Sequence, residues 1–295
     1  MQEELLKMKT QAVSATVNFV RGLITVDEDA EAEKKNSDVL EPYVDNILEL
    51  MAQLLELSFQ QSYPPLQEEV LALLSCTATV IGKKFAPYYP KFMPALKQIL
   101  GTTPMETRAQ KDLRTNTIQS IGFLVNAVSD NATDFSGDVK EISEILAKMI
   151  LPGVLKDDDP QYGAILNTFP QLAGMLKEQF SPYLPHIMDK LLADVRQDID
   201  FKWEAADEIK GEKPSIEKNE EGHTSMVFKL KGVEEMKKVS LNTSALENKI
   251  NACQVLRDLA SNLKKAFLPY VEATHEAIAP LMSFVWSKAV RKVAT

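Results

Sequence analysis

The chain is short of the residues on which several common classes of protein depend. It has 2 cysteines in 295 residues, too few for a disulfide framework. Its 11 glycines are too sparse for a sheet-rich chain with many tight turns. Basic residues are also outnumbered, with 33 Lys and Arg against 42 Asp and Glu, which gives a net charge of −9. We therefore expect no direct binding of nucleic acid, which requires a basic surface.

Long apolar runs are missing as well. None approaches the roughly 18 to 20 residues that span a bilayer, and the first residues, 1–9, are charged rather than signal-like. Hydrophobic residues make up 45% of the chain and charged residues 25%, values typical of a protein that buries a core. We expect neither membrane insertion nor secretion.

The sequence also lacks the residue patterns that carry catalysis. It contains no glycine-rich phosphate loop and no dinucleotide-binding fingerprint. Its three histidines and two cysteines are too far apart in sequence for zinc-ligand spacing. The run from Asp157 to Asp159 is interpreted as the acidic start of a helix, favoured there by the helix dipole, rather than as a cation site. We expect no enzyme activity, no cofactor and no metal.

Acidic charge is concentrated in two segments. Residues 27–38 and residues 199–223 each carry a net charge of −4, so the rest of the chain is nearly neutral. Such segments are typical of solvated connections between helices. An alternative function is electrostatic attraction of a basic partner.

Apolar residues recur with helical spacing almost throughout. One stripe at i, i+3, i+4 and i+7 consists of Val44, Ile47, Leu48, Met51, Leu54 and Leu55. Similar stripes recur within 139–150, 165–176 and 184–195. The periodicity predicts an all-α protein.

A Pro-Tyr phrase returns at intervals. It stands at Pro42, Pro87, Pro182 and Pro269, each followed by tyrosine and by an apolar helical stripe. The spacings fit a period of about 40 to 47 residues, which is typical of HEAT and armadillo helix pairs. Proline suits a first helical turn, and the tyrosine is expected to seal the seam to the preceding pair.

The repeats predict one α-solenoid segment over 1–295, of about six to seven repeats, that begins and ends within a repeat. Predicted helices are near 3–26, 39–58, 65–84, 88–101, 106–128, 136–151, 160–179, 182–197 and 244–265. A last helix is predicted from Pro269 through Trp286, and bends without breaks are expected at Pro94 and Pro170.

An acidic insertion interrupts the repeats at about 198–241. Its first part, 198–223, lacks a helical stripe, so we expect it to be poorly ordered and not needed for folding. The apolar residues within 226–230 and 239–241 are compatible with a short hairpin.

Polar residues follow the face of each second helix that is opposite the core stripe. They are Glu68, Ser75 and Thr79, then Gln119 and Asn126, then Asn167 and Gln171, and finally Glu247, Asn251, Gln254 and Asp258. Amides supply a donor and an acceptor together, so a row of them suits the backbone of an extended peptide, while carboxylates select lysine or arginine. A merely solvated polar face is the alternative.

Several phrases resemble the importin beta-3 type of karyopherin-beta nuclear import receptor. They are Lys84 to Lys97, Arg114 with Thr117-Ile118 and Ser120-Ile121-Gly122, Lys156 to Gln161, Phe180 with Tyr183-Leu184-Pro185, and Ala252-Cys253-Gln254. The resemblance spans about 60 to 290 in collinear order. It implies a central block of a longer HEAT solenoid that shuttles between cytoplasm and nucleus and binds RanGTP, basic cargo proteins and nucleoporin Phe-Gly repeats.

Together, the polar row and the resemblance predict a peptide groove on the inner face of the solenoid. Its predicted cargo-binding residues are Glu68, Glu69, Gln119, Asn126, Asn167 and Gln171. A HEAT scaffold for a phosphatase or kinase assembly is the alternative function. Sensitivity of binding to RanGTP distinguishes the two.

Overall fold

The computed structural model describes residues 2–24, 36–151, 154–155, 159–198, 201–204, 215–218, 223–229, 236–284 and 287–294. Residues 27–35 of the first acidic segment lie outside the described residues. No helix within the described ranges is long and apolar enough to cross a membrane.

Eleven α-helices of seven residues or more account for most of the described chain. They are α1 (Gln2–Arg21), α2 (Val44–Gln60), α3 (Pro64–Ile81), α4 (Tyr89–Thr102), α5 (Arg108–Ala127), α6 (Ala132–Met149), α7 (Pro160–Leu176), α8 (Leu184–Arg196), α9 (Thr243–Leu263), α10 (Val271–Ile278) and α11 (Lys288–Ala294). One further helical turn covers 36–40. The first nine follow the predicted periods, and α4 and α7 continue through Pro94 and Pro170 without a break.

The chain divides into two compact units. One comprises Met1–His186 with Asn262–Ala266, and the other comprises Ile187–Ser261 with Phe267–Thr295. Helices α1 to α7 belong to the first unit. A single solenoid segment of six to seven repeats therefore stays a prediction.

Within the first unit, helices pair as first and second members of each repeat. Helix α2 packs on α3, α4 on α5, and α6 on α7, while the second helices α1, α3, α5 and α7 form a continuous row. The predicted stripe of α2 is largely buried, with Leu48 and Met51 at 1% and 0% exposure. Each pair buries its apolar faces by stacking on its neighbours, as in other helical repeat proteins.

Small and hydroxylated residues line the contacts between neighbouring second helices, which we call the seams of this row. Ser75 Oγ of α3 donates to Ser120 Oγ of α5 at 3.0 Å. Thr168 Oγ1 of α7 donates to the Ile118 carbonyl oxygen at 3.3 Å. A Cβ atom on Gly122 would lie 3.2 Å from Thr168 Oγ1, so a larger residue there would press on the Thr168 side chain where α5 approaches α7.

The Pro-Tyr phrase lies within, or directly after, the 3-10 turn between two successive repeats. Phe85, Phe180 and Phe267 are buried, and each contacts the tyrosine three residues later, at centroid distances of 6.1, 5.3 and 6.1 Å. The Tyr88 hydroxyl donates to the Asp45 carboxylate of the preceding first helix. The Tyr183 hydroxyl donates to the Lys140 carbonyl oxygen at 3.4 Å. These contacts confirm the expected role at Tyr88 and Tyr183, whereas Tyr43 is 60% exposed.

Second helices also cap the first helices that precede them. The Arg114 guanidinium, early in α5, donates to the carbonyl oxygens of Leu100 and, at 3.0 Å, Thr103 at the end of α4. The Lys249 ammonium, early in α9, donates to the Val195 carbonyl oxygen of α8. Cations at a helix C-terminus satisfy carbonyl groups that have no partner in the helix and oppose its negative dipole end.

The insertion contains a four-stranded antiparallel sheet in the order β1-β4-β3-β2. Its strands are β1 (Phe201–Glu204), β2 (Ser215–Lys218), β3 (His223–Lys229) and β4 (Met236–Asn242). The pairing of β3 with β4, with Met226 opposite Val239, confirms the predicted hairpin.

The expectation of poor order over 198–223 is wrong for β1 and β2, which lie in that segment and pair with β4 and β3. The helical template missed β1 because Phe-Lys-Trp-Glu alternates apolar and charged residues, and its partner strand lies more than 30 residues later. Outside this sheet, the regular elements of the described residues are all helical.

The predicted last helix is interrupted. Helix α10 ends at Ile278, and Ala279–Ser283 form a 3-10 turn before α11 begins at Lys288. Pro280 lacks the amide hydrogen that a continuing α-helix would need, and the helical geometry ends at Phe284, whose backbone is extended. Trp286 lies outside the described residues.

A buried polar network joins α5 to the start of α7. Asp159 caps α7 by accepting from the Gln161 amide at 3.1 Å, and its other oxygen lies 2.8 Å from Lys111 Nζ. Gln161 Oε1 accepts from Arg114 Nε at 2.7 Å. Burial alone would raise the pKa of Asp159, but the hydrogen bonds from Lys111 and Gln161 outweigh burial and hold that pKa below its usual value.

We expect Asp159→Ala to lower the free energy of unfolding by about 2 kcal/mol, because it removes a charged hydrogen-bond acceptor and a helix cap together. Asp112→Ala, which loses only an exposed pair with Arg108, should cost less than about 0.5 kcal/mol. Urea denaturation at pH 7 measures both values. Equal losses in the two variants would contradict the structural role of the network.

The same network predicts how the difference in unfolding free energy between the wild type and Asp159→Ala depends on pH. A carboxyl group whose pKa is lowered by folding stabilises the fold fully at pH values above its pKa in the unfolded chain, which is about 3.9. That stabilisation is lost as the pH falls through the pKa in the folded chain. The gap in stability between the wild type and Asp159→Ala should stay constant from pH 7 to 5 and shrink below about pH 4. A gap that widens on acidification would contradict the lowered pKa.

Candidate functional site

The second helices of the first unit enclose a groove of about 560 Å³. It is lined by Arg21 and Ile24, by Glu68, Glu69, Leu71, Ala72, Ser75, Cys76 and Thr79 on α3, and by Asn116, Gln119, Ser120 and Phe123 on α5. We call this cavity the second-helix groove. Helical spacing places the α3 and α5 side chains on one face of each helix.

The structure brings three of the six predicted peptide-binding residues into the second-helix groove. They are Glu68 and Glu69 on α3 and Gln119 on α5. Asn126 is exposed on α5, seven positions after Gln119 and thus on the same helix face, but it does not line the groove.

The other two predicted residues, Asn167 and Gln171, lie one repeat further along, on α7, and do not line the groove. Asn167 is exposed, whereas Gln171 is half-buried. With its amide oriented by its neighbours, Gln171 Nε2 donates to the carbonyl oxygens of Thr168 at 2.8 Å and Asn167 at 2.6 Å. Its oxygen is therefore the atom that remains for a ligand.

The hydroxyl groups of the predicted polar row are used within the fold. Ser75 Oγ donates to the Leu71 carbonyl oxygen at 2.9 Å and also to Ser120, and the Thr79 hydroxyl donates to the Ser75 carbonyl oxygen at 2.9 Å. Ser75 thus joins two helices rather than presenting a free donor. Glu247, Asn251, Gln254 and Asp258 lie on α9.

Two carboxylates, Glu68 and Glu69, line one end of the second-helix groove, and a third, Asp112, lies outside the lining but acts on Glu68 through its charge. Partial burial raises the pKa of Glu68, and the negative charges of Asp112 and Glu69 raise it further. Asp112 is held by an exposed ion pair with Arg108, with Arg108 Nε 2.9 Å from a carboxylate oxygen. The concentrated negative charge favours a cation at this end.

Sequence reasoning missed Asp112 and Phe123. Asp112 follows Glu69 by 43 residues, and inter-repeat contacts such as Lys84 to Glu41 join residues 43 apart, so the repeat period was the available signal. Phe123 is 46% exposed although it is a large aromatic residue on a helix that otherwise packs into the core. It gives the groove an apolar contact surface.

A second groove lies between the first helices α2 and α4, with a volume of about 450 Å³. Its lining includes Leu55, Phe59, Phe92, Ala95 and Ile99. Phe59 is 36% exposed, and Phe92 forms the buried floor. We call it the first-helix groove, and its size and apolar lining suit an aromatic side chain.

A third cavity, of about 610 Å³, lies between α1 and α2 and includes the exposed Leu50. Nowhere in the part of the chain that the structure describes does a group of three His, Cys, Asp or Glu side chains converge in a way that could hold a metal ion.

The sequence matches known proteins along most of its length. Importin subunit beta-3 of Saccharomyces cerevisiae is 25% identical over 293 residues, which are 97% of this chain and 23% of that protein. A probable importin-5 homolog of Dictyostelium discoideum is 30% identical over 211 residues, or 71% of this chain and 17% of that protein. The chain therefore spans about a quarter or less of these relatives.

The fold matches a solved karyopherin. The crystal structure of Kap121p aligns with a TM-score of 0.70 at 23% identity over 97% of this chain and 24% of that protein. Other crystal structures show Kap121p bound to Pho4p, to Nup53p and to RanGTP. At this level of identity, the likeness shows a HEAT-repeat solenoid fold.

The inter-repeat contacts of 43 and 45 residues agree with HEAT helix pairs. A family model described as importin subunit beta-1-like, TPR repeats, matches residues 29–209, which is more than half of the sequence. The chain therefore belongs to the importin beta family.

Proposed function

We propose that this chain is the cargo-binding part of a nuclear import receptor and that it binds basic, extended peptides in the second-helix groove. The observation that carries the proposal is the pair Glu68 and Glu69 at one end of that groove, with the negative charge of Asp112 acting on Glu68. Family membership supports the same conclusion, because the relatives are importins. The role is binding rather than catalysis.

The groove and its surroundings match the chemistry of such a peptide. A lysine or arginine side chain beside Glu68 would stabilise its carboxylate and reverse the pKa increase that burial and the neighbouring charges produce. Gln119 offers an amide donor and acceptor to the peptide backbone within the groove. Asn126, Asn167 and the oxygen of Gln171 extend the polar surface along the following helices.

Long-range charge supports capture of the same ligands. The chain carries a net charge of −9, and basic peptides are attracted to such a field before they make contact. The attraction is screened over a Debye length of about 8 Å at physiological salt. Binding should therefore weaken as ionic strength rises.

The first-helix groove is proposed as a site for phenylalanine side chains of nucleoporin Phe-Gly repeats. Its wall of Leu55, Phe59 and Ile99 is apolar, and Lys91 and Gln98 at its rim can bond the peptide backbone. The groove lies on first helices, so it leaves the second-helix groove free for cargo. Simultaneous binding of both ligands is what passage through a pore with cargo requires.

RanGTP is proposed as the regulator of cargo binding, as expected of a receptor that shuttles between cytoplasm and nucleus. The support is a crystal structure of the related Kap121p bound to RanGTP. A scaffold for a phosphatase or kinase assembly would have no reason to respond to this ligand.

We expect Glu68→Lys combined with Asn126→Ala to weaken binding of a lysine-containing cargo peptide at least about tenfold, because a charge-assisted contact becomes a repulsion. Glu49→Lys is the matched control, since it places the same charge change on the exposed face of α2. Fluorescence anisotropy at physiological salt measures both affinities. Equal losses in the two variants would exclude the second-helix groove as the peptide site.

Ala95→Trp is expected to abolish binding of a Phe-Gly peptide by filling the first-helix groove, while leaving the affinity for the basic peptide unchanged. The Glu68→Lys and Asn126→Ala variant should show the opposite pattern. Pull-down on immobilised Phe-Gly repeats reports the first property. Retained binding by Ala95→Trp would remove this groove from the proposal.

GTP-locked Ran is expected to release captured basic proteins from the chain, whereas Ran loaded with GDP should not. Release is measured by pull-down from a cell lysate, with quantification of the bound proteins before and after Ran is added. Identical retention in the two conditions would favour the scaffold function over the transport function.

A further inference from the structure

The second-helix groove carries opposite charges at its two ends. Glu68 and Glu69 lie near the N-terminal end of α3, whereas Arg21 is the last residue of α1. Among the described residues that line the groove, Arg21 is the only cation. Its side chain is exposed, and no ion pair joins it to any residue within the described ranges.

The direction of the helices places Arg21 at the far end. Gln2 Nε2, at the start of α1, donates to Gln61 Oε1, just before α3, at 2.6 Å. The two helices contact each other and contain 20 and 18 residues, so they run side by side in the same direction. Arg21 therefore lies beside the C-terminal end of α3, where Thr79 also lines the groove.

The separation of the charges follows from helix geometry. Glu68 and Thr79 are eleven positions apart on α3, which corresponds to about 16 Å at 1.5 Å per residue. An extended peptide advances about 3.3 Å per residue, so about five peptide residues cover that distance. The acidic end and the arginine can thus contact two side chains of one short peptide.

Phe123 adds an exposed apolar surface to the end of the groove where Arg21 lies. Ser75 and Ser120 are in contact, so the helical turn after Ser120, which carries Phe123, lies level with Thr79. An apolar peptide residue next to the one that meets Arg21 would cover the exposed ring.

We propose that the second-helix groove recognises the spacing of opposite charges. It selects peptides in which a lysine or arginine and a carboxylate side chain lie about five residues apart, in either order. The basic residue lies beside Glu68 and Glu69, and the acidic residue pairs with Arg21. This inference rests on the proposed function and deepens it. A groove with acidic residues alone would bind best the peptides with the most positive charge, whereas this groove disfavours a second cation at the Arg21 end.

The inference is tested with three fluorescent ten-residue peptides that share a lysine at position 3. Position 8 holds Glu in the first, Gln in the second and Lys in the third. We expect the Glu peptide to bind the wild-type chain about threefold to fivefold more tightly than the Gln peptide, as an exposed ion pair allows. The Lys peptide should bind no better than the Gln peptide.

Two variants distinguish the effect of Arg21 on peptide affinity from the effect of the overall charge of the protein. Arg21→Gln should abolish the advantage of the Glu peptide, and Arg21→Glu should transfer the advantage to the Lys peptide. Lys7→Gln removes an equally exposed cation from the same helix and should leave all three affinities in their wild-type order. Circular dichroism verifies that the variants keep their helicity.

The outcomes distinguish this inference from the proposed function. The charge-spacing inference is wrong if affinity for the wild-type chain rises with the positive charge of the peptide, or if Arg21→Gln keeps the preference for the Glu peptide. The groove would still bind basic peptides in either case. If none of the peptides binds, the proposed function fails and the inference fails with it.

Discussion

The close stacking of successive second helices is the contact on which the other features of the first unit depend. Gly122 allows α5 to approach α7 near Thr168, and the Ser75 to Ser120 hydrogen bond fixes α3 against α5. A helix pair cannot bury its apolar faces alone, so its stability comes from these seams. Because every seam repeats with nearly the same offset, polar residues on neighbouring second helices come to line one groove.

Polar groups inside the seams set the register of that stack. Arg114 joins the end of α4 to Gln161 of α7, and Asp159 binds Lys111 of α5. Buried charges are costly unless they are paired, so these groups tolerate only one relative position of the helices. The register that places Asp112 near Glu68 therefore depends on residues that do not line the groove.

The same architecture separates two kinds of surface. Second helices carry the polar and charged groove, with Glu68, Glu69 and Arg21 around it, while first helices leave an apolar groove around Phe59. A repeat of two helices has two outward faces, so ligands of different chemistry can bind without competing. The two proposed ligand classes of this chain match that division.

The sequence by itself determined the helices, the repeat period and the role of the Pro-Tyr phrase, because these depend on local spacing and on the fixed geometry of proline. It also identified Glu68 and Gln119, which line the groove, from their positions opposite the core stripe. Tertiary structure decided which residues share the groove: Arg21, Glu68 and Phe123 come from three different helices, and their meeting depends on the stacking offset. Tertiary structure also determined that the insertion forms a sheet and that the Ser75 hydroxyl bonds a neighbouring helix instead of facing a ligand. Strand pairing and hydroxyl contacts join residues that are distant in sequence.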